Sequence, residues 1–167
     1  MALHPLFVHF HTGILATVTV LALINLMLRF VFHDKIQTPG TRLAKVFHEF
    51  DVFIYVGTIV GVIGLVAAMI SGFMEPDYPL ATLEASSIMR FKILWSIVLL
   101  EIYTFLVIVR TRLGDRIWVR PSTSLTYGIL LAIGGSFVVL IAALGGSAVY
   151  GESILGPIFA WLGVPWP

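Results

Sequence analysis

The sequence predicts an all-α integral membrane bundle of four spanning helices, and three observations carry that prediction. Hydrophobic residues make up 59% of the 167 and charged residues 11%, where a soluble domain holds about 45–50% and 25%. A chain this small has no interior large enough to hide so much apolar surface from water. Four stretches each supply the ~20 apolar residues that a helix needs to cross a hydrocarbon core of ~30 Å. The runs are continuous and do not alternate in short segments as barrel strands do. In lipid the backbone must satisfy its own hydrogen bonds, so helices are what remains.

The first span covers 5–32, with Arg29 as its one charge. Pro5 suits a first helical turn, where a missing N–H costs nothing. Asp34 and Lys35 mark the return to water, and Pro39-Gly40 turns the chain. The second span, 52–74, stops at Glu75-Pro76-Asp77 because proline cannot continue a helix. The third, 88–109, contains one carboxylate, Glu101. The fourth, 122–150, follows Pro121 and is free of charge. Residues 1–151 thus form the bundle. The tail, 152–167, is too short to span, and Trp161 and Trp166 suit a membrane interface. The first span is too long, and too poor in basic residues at its start, for a cleavable signal peptide.

Lysine and arginine set the expected direction. Arg29, Lys35, Arg42 and Lys45 flank the first loop, and Arg110, Arg112, Arg116 and Arg120 the third. Loops 33–51 and 110–121 are therefore expected in the cytoplasm, with both termini outside, in a prokaryotic plasma membrane. The absence of cysteine excludes disulfides, thiolate metal sites and covalent c-type haem. A net charge of +1 excludes a strongly basic nucleic-acid binder. Phosphate-cradling loops and protease motifs are also missing. The chain is read as no enzyme on its own.

Small residues recur at heptad steps in two spans. The second has Gly57, Gly61, Gly64, Ala68 and Ser71; the fourth has Gly128, Ala132, Gly135, Ala142 and Gly146, with Val139 in the gap. Such seams let helices approach closely, which is how association is driven in lipid. The alternative is a groove with room for a flat cofactor.

Histidines supply the candidate chemistry. His4, His9 and His11 crowd the start of the first span, and His33 and His48 bracket its loop. His9 sits one turn deep with Gly13 at i+4, which points it toward a face with room and makes it the candidate axial ligand of a b-type haem. His11 lies about 200° away around the helix, so the two cannot share one ion while both are helical. Copper or zinc held by His4, His9 and His11 would require the first turn to unwind. A second haem ligand at that end could come from Met69, Met74, Met89, Lys92 or Tyr150. His33 and His48 could face each other across adjacent helices. Glu101 lies a third to a half of the way through its span. It is read as a neutral carboxyl bonded to Asn25 or a threonine, or else as a proton or quinol site.

His4-Pro5 followed by Val8-His9-Phe10 resembles the opening of a four-span membrane family, domain of unknown function 2231. The ending Ala67-Ala68-Met69-Ile70-Ser71-Gly72-Phe73-Met74-Glu75 is similar to that family's close of span two. Gly145-Gly146-Ser147-Ala148-Val149-Tyr150-Gly151 resembles its close of span four. The resemblance implies a four-helix membrane domain with b-type haem and electron transfer, because relatives occur beside Rieske-type redox modules. Two departures stand out. Relatives often carry a histidine where Met89-Arg90-Phe91-Lys92 stands here, and His11 replaces the proline that follows Val-His-Phe.

Three functions follow as expectations. The first is a redox subunit holding a b-type haem on His9 and exchanging electrons with quinone or a larger complex. The second is a cofactor-free structural subunit among other membrane subunits or copies of itself. The third is an outer-face metal-binding or transport component.

Overall fold

A computed structural model describes residues 3–32, 36, 40–74, 87–150 and 156–161, with the side chains of 3–5, 87–89, 145–150 and 158–159 outside the description. Among the described residues every regular element is helical. They are α1 (Leu3–Val31), α2 (Arg42–Phe73), α3 (Ser87–Leu113), a 3₁₀ turn (Gly114–Trp118), α4 (Pro121–Tyr150) and a short α5 (Gly156–Trp161). Four of the helices are long and apolar enough to cross a membrane, over Leu6–Val31, Arg42–Phe73, Arg90–Trp118 and Pro121–Leu144. A bilayer is the environment such helices imply.

Each helix packs on its neighbours in the chain and α4 closes the ring against α1, the up-down-up-down order that short loops favour. The buried faces advance in steps of four and three. In α1 they are His11, Leu15, Val18, Ala22 and Asn25. In α2 the face runs Phe47, Asp51, Ile54, Thr58, Gly61, then Leu65 and Ala68. In α3 it is Leu99, Tyr103, Leu106 and Arg110. In α4 Ser124, Tyr127, Leu131, Val138 and Ile141 point inward. This spacing belongs to the left-handed class of helix packing.

The second span starts ten residues earlier than the expected 52. Gly40 turns the chain at φ 80°, a backbone region that costs glycine little. Thr41 then caps α2 by accepting a hydrogen bond from the Ala44 N–H at 3.2 Å. Capping satisfies an N–H that would otherwise be orphaned, so the helix begins well before its apolar stretch. At the same end of the bundle Gly114, at φ 54°, switches α3 into the 3₁₀ turn.

Glycine sets the interhelical distance along α1. A Cβ added at Gly57 would lie 2.6 Å from Val18, and one at Gly64 would lie 3.0 Å from His11. At Gly61 it would run into Leu15. The α2 seam is therefore filled by α1 side chains and leaves no groove for a cofactor. The α4 seam proves different from the face expected. Ala132, Val139 and Ala142 are exposed, while Gly146 lies outside the described side chains. Gly128 meets Leu26 and Gly135 meets Thr19 on α1, and Gly134 meets Tyr103 on α3. Helix α4 is wedged between two neighbours, so its small residues divide between two flanks.

Candidate functional site

At the histidine end His9 and His11 lie on opposite faces of α1. His9 is exposed on the outer surface of α1, and so is Gly13, where an added Cβ would meet nothing within 4 Å. His9 therefore points away from the glycine seams. His11 is the inward ring, 3% exposed against Gly64. Its Nδ1–H donates to the Phe7 carbonyl at 2.7 Å, and Nε2 lies 3.4 Å from the Thr12 hydroxyl. Both ring nitrogens are thus engaged on their own helix. The side chains of His4 and Met89, and all of His33, lie outside the described residues. Lys92 is half-buried, Met69 packs against the core and Met74 is 78% exposed.

A haem lodged between the helices with His9 on its iron does not fit this arrangement. The proposed ligand faces outward, and the seams meant to admit the macrocycle are occupied. Among the described residues there is also no group of three His, Cys, Asp or Glu side chains able to hold a metal ion.

Glu101 and Asn25 do not meet. Asn25 is fully buried, and among the described residues neither its amide oxygen nor its nitrogen has a hydrogen-bond partner. Glu101 is exposed on the opposite side of α3. The buried polar contact near this level is another pair, Thr19 of α1 and Tyr103 of α3, whose hydroxyls hydrogen-bond across the bundle's diagonal. Two residues, roughly 200° around the helix, separate the two outcomes. Tyr103 follows Leu99 and precedes Leu106 on the core face, whereas Glu101 falls between those positions.

The basic end holds a cluster that reading along the chain missed. Asp51 is 2% exposed and forms an ion pair with Arg110, itself 7% exposed. Arg110 also reaches Asp115 of the 3₁₀ turn at 3.1 Å, and Asp115 lies 3.5 Å from His48 Nδ1. His48 thus faces the turn after α3. Arg29 enters from α1. Its guanidinium lies 4.6 Å from the Trp118 ring and 5.5 Å from the Phe47 ring, and it donates to the Phe47 carbonyl at 3.3 Å. Trp118 in turn meets Tyr127 of α4 edge-on at 5.9 Å. Every long helix and the turn therefore contribute to one charged and aromatic knot.

Its physics is that of a clamp. Asp51 and Arg110 balance each other as the buried pair, the exposed Asp115 adds a second carboxylate, and cation–π contacts hold the Arg29 guanidinium. Leu26, Arg29, Trp118 and Ser124 line a cavity of about 90 Å³ beside it, well short of the roughly 300–1,000 Å³ of a ligand pocket. Asp51 falls within the expected loop 33–51, and Arg110 enters the sequence argument only through orientation. The signal lay in the register: Gly61, Thr58 and Ile54 lead back to Asp51 by steps of three and four, and Leu106 leads on to Arg110 by four.

Compared with family models, with curated proteins and with solved structures, the chain gives no match in any of the three.

Proposed function

We propose that this chain is a membrane-embedded subunit that works in an assembly, with the exposed face of α3 as its contact. One observation carries the reading. Glu101 lies eleven residues from Arg90 and nine from Arg110, roughly 16 Å and 13 Å along the helix axis. That is the middle of a bilayer, and the side chain points out of the bundle. An acidic residue at mid-span costs on the order of 3 kcal/mol in lipid, and such residues almost always face protein or a water-filled cavity. A glutamate at this depth is too short to reach either headgroup layer. Protein over this face removes the penalty. In native membranes, a photo-crosslinking amino acid in place of Ile97 is expected to capture a protein at high yield. Labelling of lipid alone would sink the proposal.

The redox reading has one observation in its favour. His9 and Gly13 share an outward face with open space beside it, and the resemblance to the four-span family points toward b-type haem. On this reading a haem is held on His9 at a contact between chains, where His4, Met89 and Lys92 are at the same end of the bundle. The haem supplies the redox chemistry, with quinone or a neighbouring subunit as its partner, and the chain supplies ligation and a dry setting. Protein purified after expression with haem supply is then red, and its Soret band disappears in His9→Ala but persists in His11→Ala. A colourless preparation with no haem by pyridine assay removes this second reading and leaves the first intact.

A further inference from the structure

We propose that the partner covering Glu101 is a second copy of this chain, packed α3 against α3 with the two Glu101 carboxyls hydrogen-bonded to each other at mid-membrane. The inference rests on the assembly reading above and names its partner.

The exposed stripe of α3 has the geometry of a helix-pair seam. It runs Arg90, Leu94, Ile97, Glu101, Phe105, Ile108 and Arg112, in steps of four, three, four, four, three and four. Alternating steps of three and four keep large side chains along one line, as two parallel helices require to interlock. Leu94, Phe105 and Ile108 are each more than half exposed, and Ile97 is 41% exposed. Helix α3 is also the least covered of the four. Over its most apolar 18-residue stretch only 17% of it is buried in the bundle, against 28%, 33% and 39% for the others. The least covered helix carries the mid-span acid.

Symmetry supplies the pairing. All copies insert in the same direction, so a two-fold axis must run along the membrane normal. Residue 101 of one copy then meets residue 101 of the other at equal depth without adjustment. The chemistry is complementary as well. A carboxyl that keeps its proton has one donor and one free acceptor, so two of them satisfy each other across the axis. No lysine or arginine lies at this depth in any of the four spans, so within the chain's own repertoire the carboxyl is its own best partner. Arg90 and Arg112 fall at the ends of the stripe, where water and headgroups screen like charges.

The chain lacks cysteine, so single cysteines report without background. Under oxidation in native membranes, Leu94→Cys, Ile97→Cys, Phe105→Cys and Ile108→Cys are expected to form dimers of twice the chain mass. Val20→Cys and Ile63→Cys, exposed on α1 and α2, are expected to stay monomeric. Measured by energy transfer between labelled copies, Glu101→Gln keeps the association, because an amide also donates and accepts. Glu101→Ala lowers it about tenfold, the scale of one or two interhelical hydrogen bonds. Unchanged association in Glu101→Ala overturns the carboxyl pairing. Stripe cysteines that stay monomeric while the probe at position 97 captures a different protein overturn the second copy and leave the assembly reading standing. Failure of both captures overturns both.

Discussion

Arg110→Ala is expected to destabilise the bundle by about 3–5 kcal/mol, the cost of leaving a buried charge without its partner. Asp51 is buried on α2 and its principal counter-ion is Arg110 on α3. Removing the guanidinium leaves a carboxylate facing low dielectric with only Arg29 to offset it. Asp51→Ala should cost a similar amount, for the mirror reason. The two losses should not add. Replacing both partners by apolar residues of similar size, as in Asp51→Leu with Arg110→Met, removes the desolvation cost along with the attraction and should return stability to near its starting value. Asp115→Ala should cost less than about 1 kcal/mol, because an exposed ion pair is worth little; its side chain is 65% exposed. Unfolding of the detergent-solubilised protein by SDS titration measures all four. A double variant as weak as the worse single one would show that the pair is no clamp.

Gly61→Ala is expected to destabilise by about 1–3 kcal/mol, the usual cost of forcing a methyl group into a packed core. The added carbon runs into Leu15 of α1, and α1 and α2 share the most extensive contact in the bundle. Helix propensity alone predicts the reverse, since alanine is favoured over glycine by about 1 kcal/mol in a helix interior. The sign of the effect therefore reports whether the seam is closed. Combining Gly61→Ala with Leu15→Val, which removes one methylene, should cost less than the sum of the two single changes, as expected of residues in contact. Gly13→Ala is the control. Nothing lies within 4 Å of its added carbon, so this variant should be as stable as the parent or slightly more so. If Gly61→Ala behaves like Gly13→Ala in the same unfolding assay, the close approach of α1 and α2 is wrong.

These predictions all concern which face of a helix a residue occupies, and that was the part least legible in the sequence. The heptad steps of Gly57, Gly61 and Gly64 were visible, and they do lie against α1. The same arithmetic extended backward reaches Asp51, although its charge, taken by itself, suggests the end of a loop. On α1, His9 and Gly13 made a plausible pair at i+4, but the core register runs through His11, Leu15, Val18 and Ala22. On α3, Tyr103 and Glu101 are two residues apart and face opposite ways. Glu101 and Asn25 stand out in the sequence as polar residues in apolar spans, but which of them turns inward is decided by packing.

Composition and run length settled the environment, the all-helical class and the count of four spans, because transfer of an apolar stretch from water to lipid depends on that stretch alone. Direction within the bundle needed the packed structure. In water a helix advertises its buried side by contrast, apolar within and polar without. In lipid both sides are apolar, the contrast vanishes, and each residue turns about 100° from the last. Only contact between helices, limited by where Gly61 and Gly128 allow close approach, decides that His11, Asn25, Asp51 and Arg110 turn inward and that Glu101 is left facing whatever lies beside α3.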